Sequence, residues 1–166
     1  MPNRTGIEWF IREVWPHVKR AAPDTRLRLV GWDSDKDFPS MGPDIDGLGF
    51  VQDTTEEIAT WSAMIVPIRF GAGTRIKIAE AFSLKCPVVS TTIGAFGYNV
   101  EDGEELLLAD NAEDFGKACI RIMTDHTLAM RVSENAWKRF LQTWTWDSIG
   151  ESVRSAVQSC IIQRNR

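Results

Sequence analysis

The sequence predicts a three-layer α/β/α domain built on a parallel sheet. Three observations carry this. Short apolar runs of strand length alternate with segments of helical periodicity. The runs 63–68 and 87–90 are nearly continuous in apolar residues rather than alternating, the pattern of strands covered on both faces. The chain has 166 residues, 43% hydrophobic and 25% charged, which suits one packed domain and is short for two.

The elements follow in order. Ile7, Phe10, Ile11, Val14 and Val18 fall three or four apart, so a helix with one apolar face is expected over 7–20. Ala21-Ala22-Pro23-Asp24 ends it. Leu27 to Gly31 alternates and stops at glycine, which reads as a strand. Residues 33–46 are rich in Asp, Pro, Gly and Ser and read as loop. A second strand is expected over 47–51, and a short helix at Asp53-Thr54-Thr55-Glu56-Glu57, where cap residues precede acids. The run 63–68 is a third strand, followed by a glycine-containing turn and a helix to about Leu84. The chain turns sharply between that helix and Pro87, so Lys85 is expected in the left-handed conformation that usually calls for glycine, and Lys85→Gly is expected to stabilise. Strands at 87–90 and 106–109 complete the sheet. Three helices follow at about 112–124, 127–142 and 147–163, with Asn111, Thr127 and Asp147 as N-caps. Asn111 with Asp114 resembles a capping box. The last helix is expected to pack through Ile149, Val153, Val157 and Ile161.

Composition excludes several classes. The net charge of −4 lacks the basic balance of a nucleic-acid module. No stretch reaches the roughly 20 apolar residues of a membrane span, and Met1 to Gly6 lacks a signal peptide's pattern. Cys86, Cys119 and Cys160 are odd in number and far apart, so they read as buried thiols of a reducing compartment.

The segment from Val66 to Ala81 runs buried strand, glycine turn, helix. Glycines let the backbone approach a ligand, and a helix start presents free N–H groups and partial positive charge, which suits phosphate. The candidate residues here are Arg69, Gly71, Ala72, Gly73, Thr74, Arg75 and Lys77; Lys77 shares a helix face with Glu80. The same residues also fit a tight strand-to-helix turn with solvated charges. Two named loops are ruled out. The turn lacks the third glycine of the dinucleotide fingerprint, and it is not Gly-x-x-x-x-Gly-Lys-Ser/Thr. A second glycine-containing segment, 87–97, also ends a buried strand in small polar residues.

Other features point to structure. Asp33 to Asp44 has Phe38 and Asp44 where a calcium loop needs Gly and Glu. His17 and His126 have no neighbours at ligand spacing, so no metal is implied. Trp137, Leu141 and Trp144 sit at helical spacing and read as core, as do most of the seven tryptophans. No Gly-x-Ser-x-Gly elbow is present.

The stretch Val66 to Gly97 resembles the donor-binding domain of retaining nucleotide-sugar glycosyltransferases of GT-B architecture, group 1 type. Supporting pieces follow that family's order: Gly6-Ile7-x-Trp9-Phe10, Val14-Trp15-Pro16, Leu29-Val30-Gly31, Pro87-Val88-Val89, Asp102-Gly103 and Trp144-x-Trp146. The resemblance implies that residues 1–166 are one Rossmann-like domain, a fragment lacking its first strand and the N-terminal acceptor domain. It implies a nucleotide-diphosphate sugar as substrate, transfer to a saccharide or other acceptor, no further cofactor, a cytoplasmic location, and room for peripheral membrane contact through the missing domain. Glu80 matches the acid that contacts the donor ribose. The glycine turn of Gly71, Ala72, Gly73 and Thr74 matches the loop near the diphosphate and sugar, and the backbone near Gly49 to Val51, with Phe50, the wall beside the base. Arg69 and Lys77 are the donor-side cations offered by the residues themselves, since the Arg and Lys pair that often holds the diphosphate in the family is not in its usual place. No catalytic residue is assigned.

The sequence departs from that pattern. Many members carry a second glutamate eight positions before the first; here that position is Ala72. Lys85 stands where the family has glycine. Two other readings remain: half of a nucleotide-sugar epimerase, and a non-catalytic nucleotide- or partner-binding module. In all of them the isolated chain is expected to lack transferase activity.

Overall fold

A computed structural model describes residues 1–38 and 41–164. The chain opens on α1 (Pro2–Trp9), which passes through a π-helical turn (Phe10–Val14) into α2 (Trp15–Ala21). The helix therefore begins at Pro2, five residues earlier than the apolar periodicity suggested. The π turn adds a residue to the inner face and lets Phe10, Ile11, Val14 and Trp15 all bury.

Strand β1 (Leu27–Val30) pairs in parallel with β2 (Ile45–Gly49). A short helix, α3 (Ser34–Asp37), occupies part of the expected loop between them. Strand β2 lies two residues earlier than 47–51 because buried Ile45 pairs with Leu27, and the ladder ends in an irregularity where Val30 meets Gly49, whose φ is +68°. Helix α4 (Thr55–Ile58) leads to β3 (Met64–Val66). Then come α5 (Ile76–Ser83), β4 (Val88–Ser90) and β5 (Leu107–Leu108). Strands β3, β4 and β5 form a parallel set in that order, so hydrogen bonding divides the five strands into a pair and a triplet.

The layers can be read from neighbouring side chains. Val88 belongs to a core with Phe82, Ile78 and Val66, whereas Val89 belongs to another with Phe10, Val14 and Phe115. Leu106 and Leu107 divide in the same way. Successive strand residues point to opposite faces, so both faces of the sheet are covered, as the continuous apolar runs required.

Three helices close the chain: α6 (Ala112–Thr124), α7 (His126–Thr143) and α8 (Trp146–Arg164). Asn111 caps α6 as expected, accepting from Asp114 N at 2.9 Å. The return bond of a capping box is replaced by one from Asn111 Nδ2 to the Asp114 carboxylate at 2.7 Å, side chain to side chain. The other two caps fall elsewhere. Asp125, not Thr127, accepts from Leu128 N at 2.9 Å. Thr145, not Asp147, accepts from Ser148 N at 3.2 Å.

Some expected core positions are solvated. On α8, Val153, Val157 and Ile161 are each more than half exposed, although Ile149 is half-buried. Leu141 is exposed, and of the seven tryptophans only Trp15 is buried. Helical spacing marks a common face but not what covers it.

Cys86 and Cys119 are buried, whereas Cys160 is exposed. Burial pushes the Cys86 thiol up to about 11 and the Cys119 thiol up to about 12. Since the thiolate is the nucleophile, iodoacetamide at pH 8 is expected to label Cys160 in the native protein and to reach the other two only after denaturation. Peptide mapping that finds Cys86 labelled as fast as Cys160 would contradict this.

Lys85 has φ +53°, as the turn into Pro87 requires. Its side chain is also engaged: Nζ pairs with Glu134 at 2.7 Å and lies 4.1 Å from the centre of the Trp137 ring. Replacement by glycine therefore relieves backbone strain but loses these contacts, which removes the basis for a simple stabilisation. Comparison with alanine isolates the backbone effect. Lys85→Gly is expected to be more stable than Lys85→Ala by about 1 kcal/mol, the cost of a left-handed L-residue. Equal denaturation midpoints would exclude it.

Candidate functional site at the carboxyl ends of the strands

Parallel strands deliver their exit loops to one edge, where open α/β sheets place ligands. At the exits of β1 and β2, the Ser34 hydroxyl donates to Leu29 O at 2.9 Å and accepts from Gly49 N at 2.9 Å. This buried bridge holds the two loops together. Beyond it, the Trp32 and Phe50 rings stack with centres 5.0 Å apart, and both are largely exposed. Val51 is half-buried. Sequence reading selected Phe50 but missed Trp32, whose only signal is its place immediately after the glycine that ends β1.

The exit of β3 is the glycine turn. Gly71 and Gly73 have φ of +110° and +101°. Gly71 packs against the Pro2 ring, and a Cβ there would lie 2.9 Å from its Cγ. Ala72 and Thr74 are exposed. The Arg75 guanidinium folds back under the turn. Its Nη2 donates to Gly71 O at 3.0 Å, and its Nη1 donates to Ala72 O at 3.0 Å and Gly73 O at 2.8 Å. The carbonyl of Arg75 accepts from Tyr98 Oη at 2.8 Å, and that hydroxyl accepts from Ala79 N at 3.3 Å. Tyr98 stacks on Trp144 at 4.5 Å. A cleft of about 220 Å³ opens here, lined by Gly73, Thr74, Phe96, Gly97, Tyr98 and Trp144.

Helix α5 carries Lys77 and Glu80. Lys77 Nζ donates to Asn3 Oδ1 at 3.1 Å. Burial, and then the charge of Arg75, lower its pKa against the opposing pull of Glu80. Glu80 accepts a short hydrogen bond from the Thr54 hydroxyl, which ties α5 to the loop that leaves β2. Sequence reading placed Thr54 only among helix caps. Arg69 is exposed and turned to other partners: its guanidinium lies 4.6 Å from the centre of the Trp9 ring and donates to Asp110 O at 3.2 Å. The edge thus brings together Phe50, Val51, Thr54 and Glu80 on one side, and the glycine turn with Lys77 on the other.

The exit of β4 is closely packed. Gly94 N donates to Thr91 Oγ1 at 2.9 Å, and the Thr91 hydroxyl donates to Ile68 O. A Cβ at Gly94 would come within 2.7 Å of Val66 O, which explains a glycine at this position. A larger cleft of about 400 Å³ is lined by Glu101, Glu104, Glu105, Asn135, Arg139 and their neighbours. It lies before β5, away from the strand exits, and its principal charges are paired: Arg139 with Glu105 at 2.8 Å and Arg131 with Glu104 at 3.1 Å.

A family model of glycosyl transferases group 1 matches residues 1–125, three quarters of the chain. The chain belongs to this family. Solved structures agree on the architecture, which is that of GT-B glycosyltransferases. TarM of S. aureus superposes with a TM-score of 0.76 at 17% identity, over 93% of this chain and 32% of that one. HepE of Anabaena, crystallised with UDP, gives 0.73 at 18% identity, over 87% of this chain and 43% of that one. The C-terminal domain of the group 1 glycosyltransferase LpcC from Francisella tularensis gives 0.67 at 18% identity, over 87% of this chain and 81% of that domain. A curated protein of Klebsiella pneumoniae, an uncharacterised 44.6 kDa product of the cps region, is 27% identical over 92% of this chain and 42% of its own length. The chain spans less than half the length of that relative, and of TarM and HepE. No helix of the described residues in this group 1 chain is long and apolar enough to cross a membrane.

Proposed function

We propose that this chain is the nucleotide-diphosphate-sugar-binding domain of a retaining glycosyltransferase, and that an acceptor-binding domain completes the active site. One observation carries the reading. The hydrogen bond from Thr54 to Glu80 joins the β2 exit to the helix that follows the glycine turn, making one continuous edge. On this reading the base lies beside Phe50 and Val51, and the ribose hydroxyls donate to Glu80. The diphosphate rests on Gly71 to Thr74, and its charge opposes the burial and repulsion that lower the Lys77 pKa. HepE, of similar fold, has been crystallised with UDP and with UDP-glucose, which supports this class of donor.

The chemistry is glycosyl transfer from an activated sugar, with negative charge building on the departing diphosphate. Amides and cations at the turn stabilise that charge. No side chain of the turn is assigned as a nucleophile, and front-face retention is proposed on the family resemblance. No metal or cofactor enters the proposal, and the location proposed is cytoplasmic.

Thermal shift with a panel of nucleoside diphosphates and their sugars tests the reading. One member at a hundredfold excess over its Kd should add about 2.7 kcal/mol of stability. The chain alone should bind without transferring, because transfer needs both substrates held in attack geometry. No shift with any nucleotide would sink the proposal. Turnover by residues 1–166 alone would sink the divided active site.

A further inference from the structure

Arg75 was a candidate for direct contact with phosphate, but the structure gives its guanidinium to the main chain. Three consecutive carbonyls, those of Gly71, Ala72 and Gly73, converge on its two terminal nitrogens at 2.8–3.0 Å. In a trans peptide the C=O and N–H point in opposite directions. The N–H groups that share those three peptide planes belong to Ala72, Gly73 and Thr74, and they therefore face away from the guanidinium. Among the described residues none of the three donates to a protein acceptor. Carbonyls that converge on one group leave their amides fanned over the opposite, outer face of the turn, where different oxygens of one diphosphate can each accept from them. The positive φ values of Gly71 and Gly73 permit the turn, but Arg75 selects which way its peptide planes face.

Arg75 is itself held. Its Nε is buried and has no partner among the described residues, so the side chain has been desolvated to make this clasp. Its carbonyl is gripped by Tyr98, which Trp144 and Phe82 pack from two directions. A planar fork fits this task, because one guanidinium reaches three acceptors in fixed directions.

We propose that Arg75 is a positioning residue, whose guanidinium orients the amides of Ala72, Gly73 and Thr74 into a receptor for the donor's diphosphate without touching it. The proposal rests on the donor-binding reading of this turn and adds to it the group that shapes the site. It separates three roles: amides that bind, Lys77 that adds charge, and Arg75 that acts through the backbone.

Inorganic pyrophosphate is the probe, since it does not depend on the base. Wild type and the variants Arg75→Ala and Arg75→Lys are titrated by calorimetry and by amide-detected NMR, after each is shown to be folded by its dispersed spectrum. In wild type the amide protons of Ala72, Gly73 and Thr74 should move downfield on titration. Both variants should bind about tenfold more weakly or worse, since each loses the aligned set of donors. Arg75→Lys keeps the charge and is the milder change should the alanine variant not fold. Millimolar methylguanidinium should restore binding to Arg75→Ala, which a general loss of stability would not allow. Wild-type amides that stay still would overturn the donor reading of the turn and this inference with it. Amides that move, with variant affinities within twofold of wild type, would overturn the inference alone. Arg75→Lys binding like wild type while Arg75→Ala fails would point to direct charge contact and also overturn it.

Discussion

Glu80→Gln is expected to weaken nucleoside-diphosphate binding by about 10- to 150-fold, the worth of a hydrogen bond to a charged acceptor. The replacement is isosteric and keeps an oxygen for the Thr54 hydroxyl, so the junction between α5 and the β2 exit should survive. On the proposed reading what changes is the acceptor: the ribose hydroxyl would meet a neutral amide in place of a carboxylate. Gly73→Val provides a contrast. No atom lies within 4 Å of a Cβ at Gly73, so the damage comes from φ of +101°, which valine resists. The turn must rearrange, and its amides move with it. Gly73→Val should therefore penalise diphosphates more than nucleosides, whereas Glu80→Gln should penalise both. Calorimetry with the tightest nucleotide of the panel, its nucleoside and pyrophosphate distinguishes the two patterns. Unchanged affinity in both variants would place the ligand elsewhere.

Gly6→Val is expected to destabilise the fold by about 3 kcal/mol or more, the upper range for forced overpacking. Gly6 is the buried residue of α1, and a Cβ there would lie 3.0 Å from the carbonyl carbon of Pro67 and closer still to its oxygen. The obstacle is backbone at the exit of β3, which cannot rotate aside. The helix must lift, and Phe10 and Val14 would lose their packing behind it. The fall in Tm should be roughly 6–12 °C for a chain of this size. Gly150 in α8 is the control, since a Cβ there meets nothing within 4 Å. Gly150→Ala should stabilise by up to about 1 kcal/mol through helix propensity, while Gly6→Ala should destabilise despite the same gain. If both alanine variants stabilise, the close approach of α1 to β3 is not a packing constraint.

The places where reading and structure part share a cause. Helix periodicity placed Val153, Val157 and Ile161 on one face of α8, yet that face is solvated. Periodicity reports which residues point the same way, whereas burial depends on what stands opposite. Strand β2 was displaced by two residues because its register is set by Ile45 against Leu27, a pairing between segments separated by a helix. Ser34 looked like part of an acidic loop, and its bridge between Leu29 O and Gly49 N exists only once two strands have been brought side by side. Thr54 and Arg75 were legible as a cap and a cation, their commonest roles. The partners that redefine them, Glu80 across 26 positions and the carbonyls of the turn, are set by the path of the folded chain.

The sequence by itself determined the parallel α/β class, the order of its strands and of the helices other than α3, the glycine turn at the end of β3, the Asn111 cap and the left-handed Lys85. All of these depend on patterns within a few residues or on the two-sided burial that a continuous apolar run demands. It also carried the resemblance to group 1 glycosyltransferases, through the segment from Val66 to Gly97. Only the tertiary structure decided that Glu80 meets Thr54, that Trp32 stacks on Phe50, that Arg69 turns to Trp9, and that Arg75 faces inward to the backbone. The physical reason is that local patterns fix the direction of a side chain relative to its own element. Its partner is fixed by how the elements pack, a property of the whole core that no short window contains.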